Sequence, residues 1–201
     1  GTAHLPLAIL DPGDRALLLD PSYPSHRGGL VLAGASICSL PLSQEQDWLP
    51  DFDAIRPELW DQLKLFVLGY PHNPTARVGN QELLDQAMAR GCRHQLVIAN
   101  DNPYVDLALE GEAPSLLRSP GWNDWGIEFF SLSKGWSLGG FRLAFAIGAE
   151  PLIAALRQVK GVVDFNQSLA LQQGAIQALT QWADWPRSLH GAYRERRDRV
   201  L

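Results

Sequence analysis

The chain has 201 residues, a net charge of −5 and a 46% apolar share. That is enough for one domain with a real core, and it leaves no basic footprint for nucleic acid. No uninterrupted apolar run has the length of a membrane-spanning helix, so neither a membrane nor a nucleic acid is an expected partner. Basic residues gather only in Arg194-Glu-Arg196-Arg197-Asp-Arg199, where the acidic neighbours point to a solvated helix face.

Taken in chain order, Gly1 to Leu10 begins as though inside a helix, and Asp11-Pro-Gly-Asp14 is a turn. Ala16 to Asp20 reads as a buried strand broken by Pro21-Ser-Tyr-Pro24, and Leu30 to Ala35 as a second strand. Phe52 to Leu63 has helical spacing with Pro57 as an interruption, and Leu63 to Leu68 is a strand. Asn80 to Arg90 is a helix with Gly91 as its C-cap, and Gln95 to Ala99 is another buried strand. A long Pro-, Gly- and Ser-rich connection fills 102–124. The strands Ile127 to Leu132 and Leu143 to Ile147 follow it, and then the helices Glu150 to Lys160, Ser168 to Trp182 and Pro186 to Leu201.

Strands alternating with helices imply an α/β fold: a mostly parallel, mixed central sheet with helices on both faces. Cys38 and Cys92 stand apart, without metal-ligand spacing, and read as small buried hydrophobes in a reduced, cytoplasmic setting. No metal site is expected. The helical first residues, and a last helix that stops without a Gly or Pro signal, read as a piece of a longer protein.

In an open parallel sheet, ligands bind beyond the carboxyl ends of the strands. Tyr23, Asn73, Asp101 and Lys134 each follow a different predicted strand. Lys134 is one of three lysines, with Lys64 and Lys160. It lies in Ser131-Leu-Ser-Lys-Gly-Trp-Ser-Leu-Gly-Gly-Phe-Arg142, between an apolar strand and a Gly-rich loop. Burial would lower the pKa of such an amine and let it form a Schiff base with an aldehyde cofactor.

Pyridoxal phosphate is a natural test ligand. Its pyridine nitrogen needs a carboxylate, and Asp101 ends Leu96-Val-Ile-Ala-Asn-Asp101. Its phenolic oxygen needs donors, which Asn73 and Tyr104 supply. Tyr23 can stack on the ring, and Ser131, Ser133 and Arg142 can hold the phosphate. Each residue also has a plainer reading. Lys134 could be a solvated lysine, Asp101 a turn cap, Asn73 a turn residue, Tyr23 a packing residue, and Arg142 the partner of a structural carboxylate. No Gly-x-Gly-x-x-Gly follows an early strand, which counts against a dinucleotide-binding domain.

The ordered motifs Asp20-Pro-Ser-Tyr-Pro24, Tyr70-Pro-His-Asn-Pro-Thr75, Asn100-Asp-Asn-Pro-Tyr104 and Ser131-Leu-Ser-Lys134 with Gly140-Phe-Arg142 resemble the class I/II branch of the aspartate aminotransferase superfamily, the fold-type I pyridoxal phosphate enzymes. The resemblance implies that 1–201 is the cofactor-binding large domain, with 186–201 starting the helix toward a small C-terminal domain. It implies an aminotransferase acting on an amino acid and a 2-oxo acid, as a homodimer. Under it Lys134 is the covalent anchor and proton carrier, and Asp101 pairs with the ring nitrogen. Asn73 and Tyr104 hold the phenolic oxygen, Tyr23 stacks, and Ser131, Ser133 and Arg142 bind phosphate. His26 is placed behind Asp101 as a supporting group. Family members are about twice as long. They carry an N-terminal phosphate loop, and a C-terminal arginine for the substrate carboxylate that none of Arg194 to Arg199 is taken to be. The Tyr70-Pro-His-Asn-Pro-Thr75 loop looks like the branch acting on alanine, aspartate, glutamate or diaminopimelate-type substrates. A lyase of the same fold and the non-catalytic cofactor-binding domain of a transcription regulator are the alternatives.

Overall fold

A computed structural model describes residues 1–201. The strands are β1 (Arg15–Asp20), β2 (Ser36–Pro41), β3 (Leu63–Leu68), β4 (Val97–Asp101), β5 (Gly126–Ser131) and β6 (Ala144–Gly148). They form one six-stranded sheet in the order β2-β1-β3-β4-β5-β6. Only the β5–β6 pair is antiparallel. The middle strands are near-continuous apolar runs because both faces of the sheet are covered.

Alternation along the strands divides the core in two. Leu17, Leu19, Phe66, Leu68 and Ile98 pack on one side against Leu84, Ala87 and Met88 of α4 (Gln81–His94). Leu18, Leu65, Val67, Ala99, Ile127 and Phe129 point to the other. There they meet Leu5 of α1 (His4–Ile9), Leu30 of α2 (Pro24–Leu32) and Leu152 and Leu156 of α6 (Glu150–Val163). A small third cluster joins Leu132, Trp136 and Leu143 to Ala175 of α7 (Leu169–Gln181), and so pins the loop between β5 and β6. No helix is long and apolar enough to cross a membrane.

Several expectations are corrected. The run Leu30 to Ala35 is not a strand: Leu30 to Leu32 end α2, and the strand is the following Ser36–Pro41. Tyr23 is extended, Pro24 opens the helix, and buried His26, Leu30 and Ala33 recur at helical spacing while Val31 and Leu32 face solvent. Gly28-Gly29 hides that helix from a propensity reading. Gly29 is needed there because a Cβ would sit 2.8 Å from the Ala3 Cα. The segment Phe52 to Leu63 is broken at Pro57 into a 3-10 turn, Phe52–Ala54, and one helical turn, α3 (Pro57–Trp60). The connection 102–124 contains two 3-10 turns and α5 (Trp122–Trp125). The terminal helix divides into α8 (Trp185–Ser188) and α9 (His190–Val200). α9 leans on the long connection through His190, 2.7 Å from the Asp106 carbonyl, and Arg197, 3.0 Å from Glu110. Cys38 is half-buried as a free thiol, but Cys92 is exposed rather than buried.

Gly91 is not a cap. α4 continues past it to His94, and Gln95 caps the helix in the left-handed conformation, φ 52°. A Cβ on Gly91 would lie 2.8 Å from Ile98 Cγ1 and 2.9 Å from the Leu96 carbonyl oxygen, so the glycine permits close approach of α4 to β4. Alanine there gains up to about 1 kcal/mol of helix propensity. Overpacking of the contact costs about 1–3 kcal/mol, so the packing effect wins. Gly91→Ala is therefore expected to lower the unfolding free energy by about 1 kcal/mol, and Gln95→Gly to leave it level or raise it. Urea unfolding of both variants measures this; a Gly91→Ala protein as stable as its parent refutes the close-approach argument.

Candidate active site

The sheet delivers every predicted site residue to one cavity of about 370 Å³ at the carboxyl ends of the parallel strands. That volume is in the range of small-molecule sites. Tyr23 arrives after β1 and Asn73 after β3; Asp101 ends β4, and Tyr104 follows it. Ser131 ends β5, Ser133 and Lys134 stand in the next loop, and Arg142 closely precedes β6.

Asp101 is the best-held of these groups. Its Oδ2 lies 2.9 Å from His26 Nε2, and His26 is buried. The Tyr23 ring stands edge-on to His26 at 5.7 Å and is 43% exposed, so it lines the cavity instead of filling the core. Asn73 Nδ2 donates to the Tyr104 hydroxyl at 3.4 Å, which joins the amide to the phenol. Lys134 Nζ sits 5.8 Å from the centre of the Tyr104 ring. The Ser131 hydroxyl accepts from the Ser133 backbone N–H at 3.2 Å.

One expectation fails in detail. Lys134 is exposed, not buried. Arg142 is exposed too, and its nearest partner is the Gly139 carbonyl at 3.2 Å rather than a structural carboxylate. Arg142 holds a left-handed backbone, φ 54°, at the end of the 3-10 turn Gly139–Phe141. A non-glycine residue in that region costs on the order of 1 kcal/mol or more. The neighbouring buried Leu143 and the packed turn hold it there.

The cavity also has walls that the sequence reading passed over. Phe129 forms one through β5 alternation from Ile127, a signal present in the sequence. Gly69 forms another part of the wall beside Asp101 and His26, where a Cβ would make only ordinary contacts, 3.4 Å from His26 Cε1 and 3.5 Å from the Asp101 carbonyl oxygen. The donor set suits a flat ligand with an anionic group. A carboxylate is fixed at one place, an amide–phenol pair and an amine at others, and hydroxyls with a guanidinium elsewhere.

The loop bearing Asn73 is braced by a second histidine. His72 is buried, stacks on Tyr70 at 5.3 Å, and places Nδ1 2.8 Å from the Thr75 hydroxyl. Burial pushes its imidazole below the ordinary value; the nearby His26 acts the same way, and the Pro21 carbonyl opposes. The folded chain therefore favours neutral His72, while the unfolded chain takes up a proton below about pH 6.5. Stability is then lost as pH falls below about 6.5, because the unfolded state binds the extra proton. His72→Gln should flatten the acid side of a plot of Tm against pH. An unchanged slope would show that His72 is charged in the fold.

Comparison with known proteins agrees with this arrangement. The sequence profile of Aminotransferase class I and II matches residues 1–200. The LL-diaminopimelate aminotransferase of Maridesulfovibrio salexigens is 37% identical over 203 residues, covering 100% of this chain and 52% of that protein. The glutamate-pyruvate aminotransferase of Escherichia coli is 37% identical over 199 residues, covering 98% of this chain and 48% of that protein. Among solved structures, a "probable N-succinyldiaminopimelate aminotransferase" of Thermus thermophilus superposes with a TM-score of 0.92 at 40% identity, covering 97% of this chain and 52% of that one. The chain thus spans about half the length of the curated relatives it matches. With the mixed sheet, the convergent strand ends and a profile match over nearly every residue, the chain belongs to the class I and II aminotransferase family.

Proposed function

We propose that this chain is the cofactor-binding large domain of a pyridoxal phosphate-dependent aminotransferase, which moves an amino group between an amino acid and a 2-oxo acid. The observation that carries the reading is the single cavity into which separate strand ends bring Tyr23, Asn73, Asp101, Tyr104, Lys134 and Arg142. When bound, the cofactor supplies an electron sink for charge developing at the substrate α-carbon.

The chain's own residues do the rest. Asp101 would pair with the ring nitrogen, and His26, 2.9 Å away, orients its carboxylate. Asn73 and Tyr104 would donate to the phenolic oxygen, and Tyr23 would cover a ring face. Ser131, Ser133 and Arg142 would hold the phosphate, Arg142 with a guanidinium that can offer two donors. Lys134 would hold the cofactor's aldehyde, and its amine is the group placed to carry a proton at the substrate α-carbon. Lys134 and Arg142 have no carboxylate partner in the fold, so both cations are available to an anionic ligand.

The substrates belong with those named for the relatives: diaminopimelate-type, glutamate-like or alanine-like amino acids. A homodimer and a cytoplasmic setting are part of the same reading. Exposed apolar side chains at Val162, Phe165, Leu169 and Trp182 are compatible with the dimer. Residues 186–201 then start the path to a smaller domain.

The test is a visible absorption spectrum of the full chain with pyridoxal phosphate, then borohydride reduction and peptide mapping. The expected label is on Lys134; a label on Lys64 or Lys160, or no cofactor band, rejects the site. Asp101→Ala is expected to abolish turnover while sparing the fold, and near-normal turnover would remove its assigned role. Formation of pyridoxamine phosphate on mixing with an amino acid separates the transferase from a lyase.

A further inference from the structure

Glu128 on β5 has 0% exposure, and its hydrogen-bond partners are all uncharged. Its Oε1 accepts from Asn100 Nδ2 at 2.7 Å and from Asn102 Nδ2 at 2.9 Å, and its Oε2 accepts from the Ser115 hydroxyl at 2.6 Å. A buried carboxylate without a cation is costly unless its oxygens are satisfied. Well-packed apolar residues often serve stability as well or better. Core stability alone is therefore a poor account of it.

Its location gives a better one. Asn100 and Asn102 flank Asp101, and successive strand residues point to opposite faces. The two amides turn toward the α4 side, where Asn100 also accepts from the Tyr70 backbone N–H at 3.3 Å. Asp101 turns toward α2 and meets His26. Asn100 is the register partner of Glu128, and the Asn102 backbone N–H donates to the Phe129 carbonyl at 2.8 Å. One carboxylate thus grips the residue on each side of Asp101. Ser115 and Gln81 tie that grip to the long connection and to α4, Gln81 Oε1 accepting from the Ser115 backbone N–H at 3.1 Å.

We propose that Glu128 is a positioning residue for Asp101: it clamps Asn100 and Asn102 from behind the sheet, and so fixes the backbone from which Asp101 reaches the cofactor cavity. This rests on the reading of that cavity as a pyridoxal phosphate site. It adds that Asp101 is held twice, by His26 at its carboxylate and by Glu128 through its neighbours.

The experiment titrates the full chain with pyridoxal phosphate and reads two quantities, the dissociation constant and the pH midpoint of the bound cofactor's absorption band. Glu128→Gln keeps the shape and the acceptor for both amides, and Ser115 can turn its hydroxyl to accept. Its affinity should stay within about threefold of the parent. Glu128→Ala releases both amides and should weaken binding by about tenfold, the scale of groups that orient ligands from behind. It should also move the midpoint in the direction that Asp101→Asn moves it. In the Asp101→Asn/Glu128→Ala double variant the midpoint should equal that of Asp101→Asn alone, because Glu128 acts through Asp101. Additive shifts would show that Glu128 acts independently of Asp101 and overturn the proposal. Should Glu128→Ala not fold, Asn102→Ala opens one side of the clamp and must move the midpoint the same way; an unmoved midpoint overturns the proposal as well. A parent that binds the cofactor beside an unaltered Glu128→Ala defeats the clamp alone, whereas a parent that does not bind defeats the cavity reading and the clamp with it.

Discussion

The register of β4 between β3 and β5 is the constraint from which the site follows. Leu68 pairs with Asn100, Asn100 with Glu128, and Asp101 with Phe129. In that register Ile98 faces α4, Ala99 faces the α1–α2 side, and the alternation carries Asp101 to His26. A slip of one residue would exchange the faces. Asp101 would then share a buried side with Glu128, and Asn100 would confront His26. Two carboxylates would crowd together where three neutral donors now satisfy one. The apolar residues and the polar ones thus select the same pairing, which is the agreement between levels expected where a sequence specifies one structure.

Much of this was legible in the sequence, for identifiable reasons. The strands ending at Asp20, Leu68, Asp101 and Ser131 are apolar runs closed by polar or turn residues, so the residues after them could be placed at one edge. α2 was lost because a short apolar run looks alike in a helix and a strand, and because Gly28-Gly29 removes the propensity signal. Gly91 misled in the opposite sense: a glycine near a helix end suggests a cap, yet this one answers a tertiary contact with Ile98. The exposure of Lys134 was not legible either. It depends on how the third core cluster seats the loop, and that involves Ala175 from a distant helix. Glu128 escaped notice because its partners Asn100, Asn102 and Ser115 read individually as strand-end and loop residues.

The site's charges rest on two different kinds of support. Asp101 stands on the sheet, tied to a buried histidine. Lys134 and Arg142 stand on a loop that is held by apolar contacts of Leu132, Trp136 and Leu143, and by the Trp136 indole N–H donating to Asp106 at 3.1 Å. Had acids of the fold anchored those cations, an incoming anion would first have to displace them. Apolar anchoring avoids that competition. It leaves the two cations exposed, where water weakens any mutual repulsion to about 1 kcal/mol even at close range. An anionic ligand that excludes water would strengthen its attraction to both cations as it settles, while the acid stays fixed on the sheet.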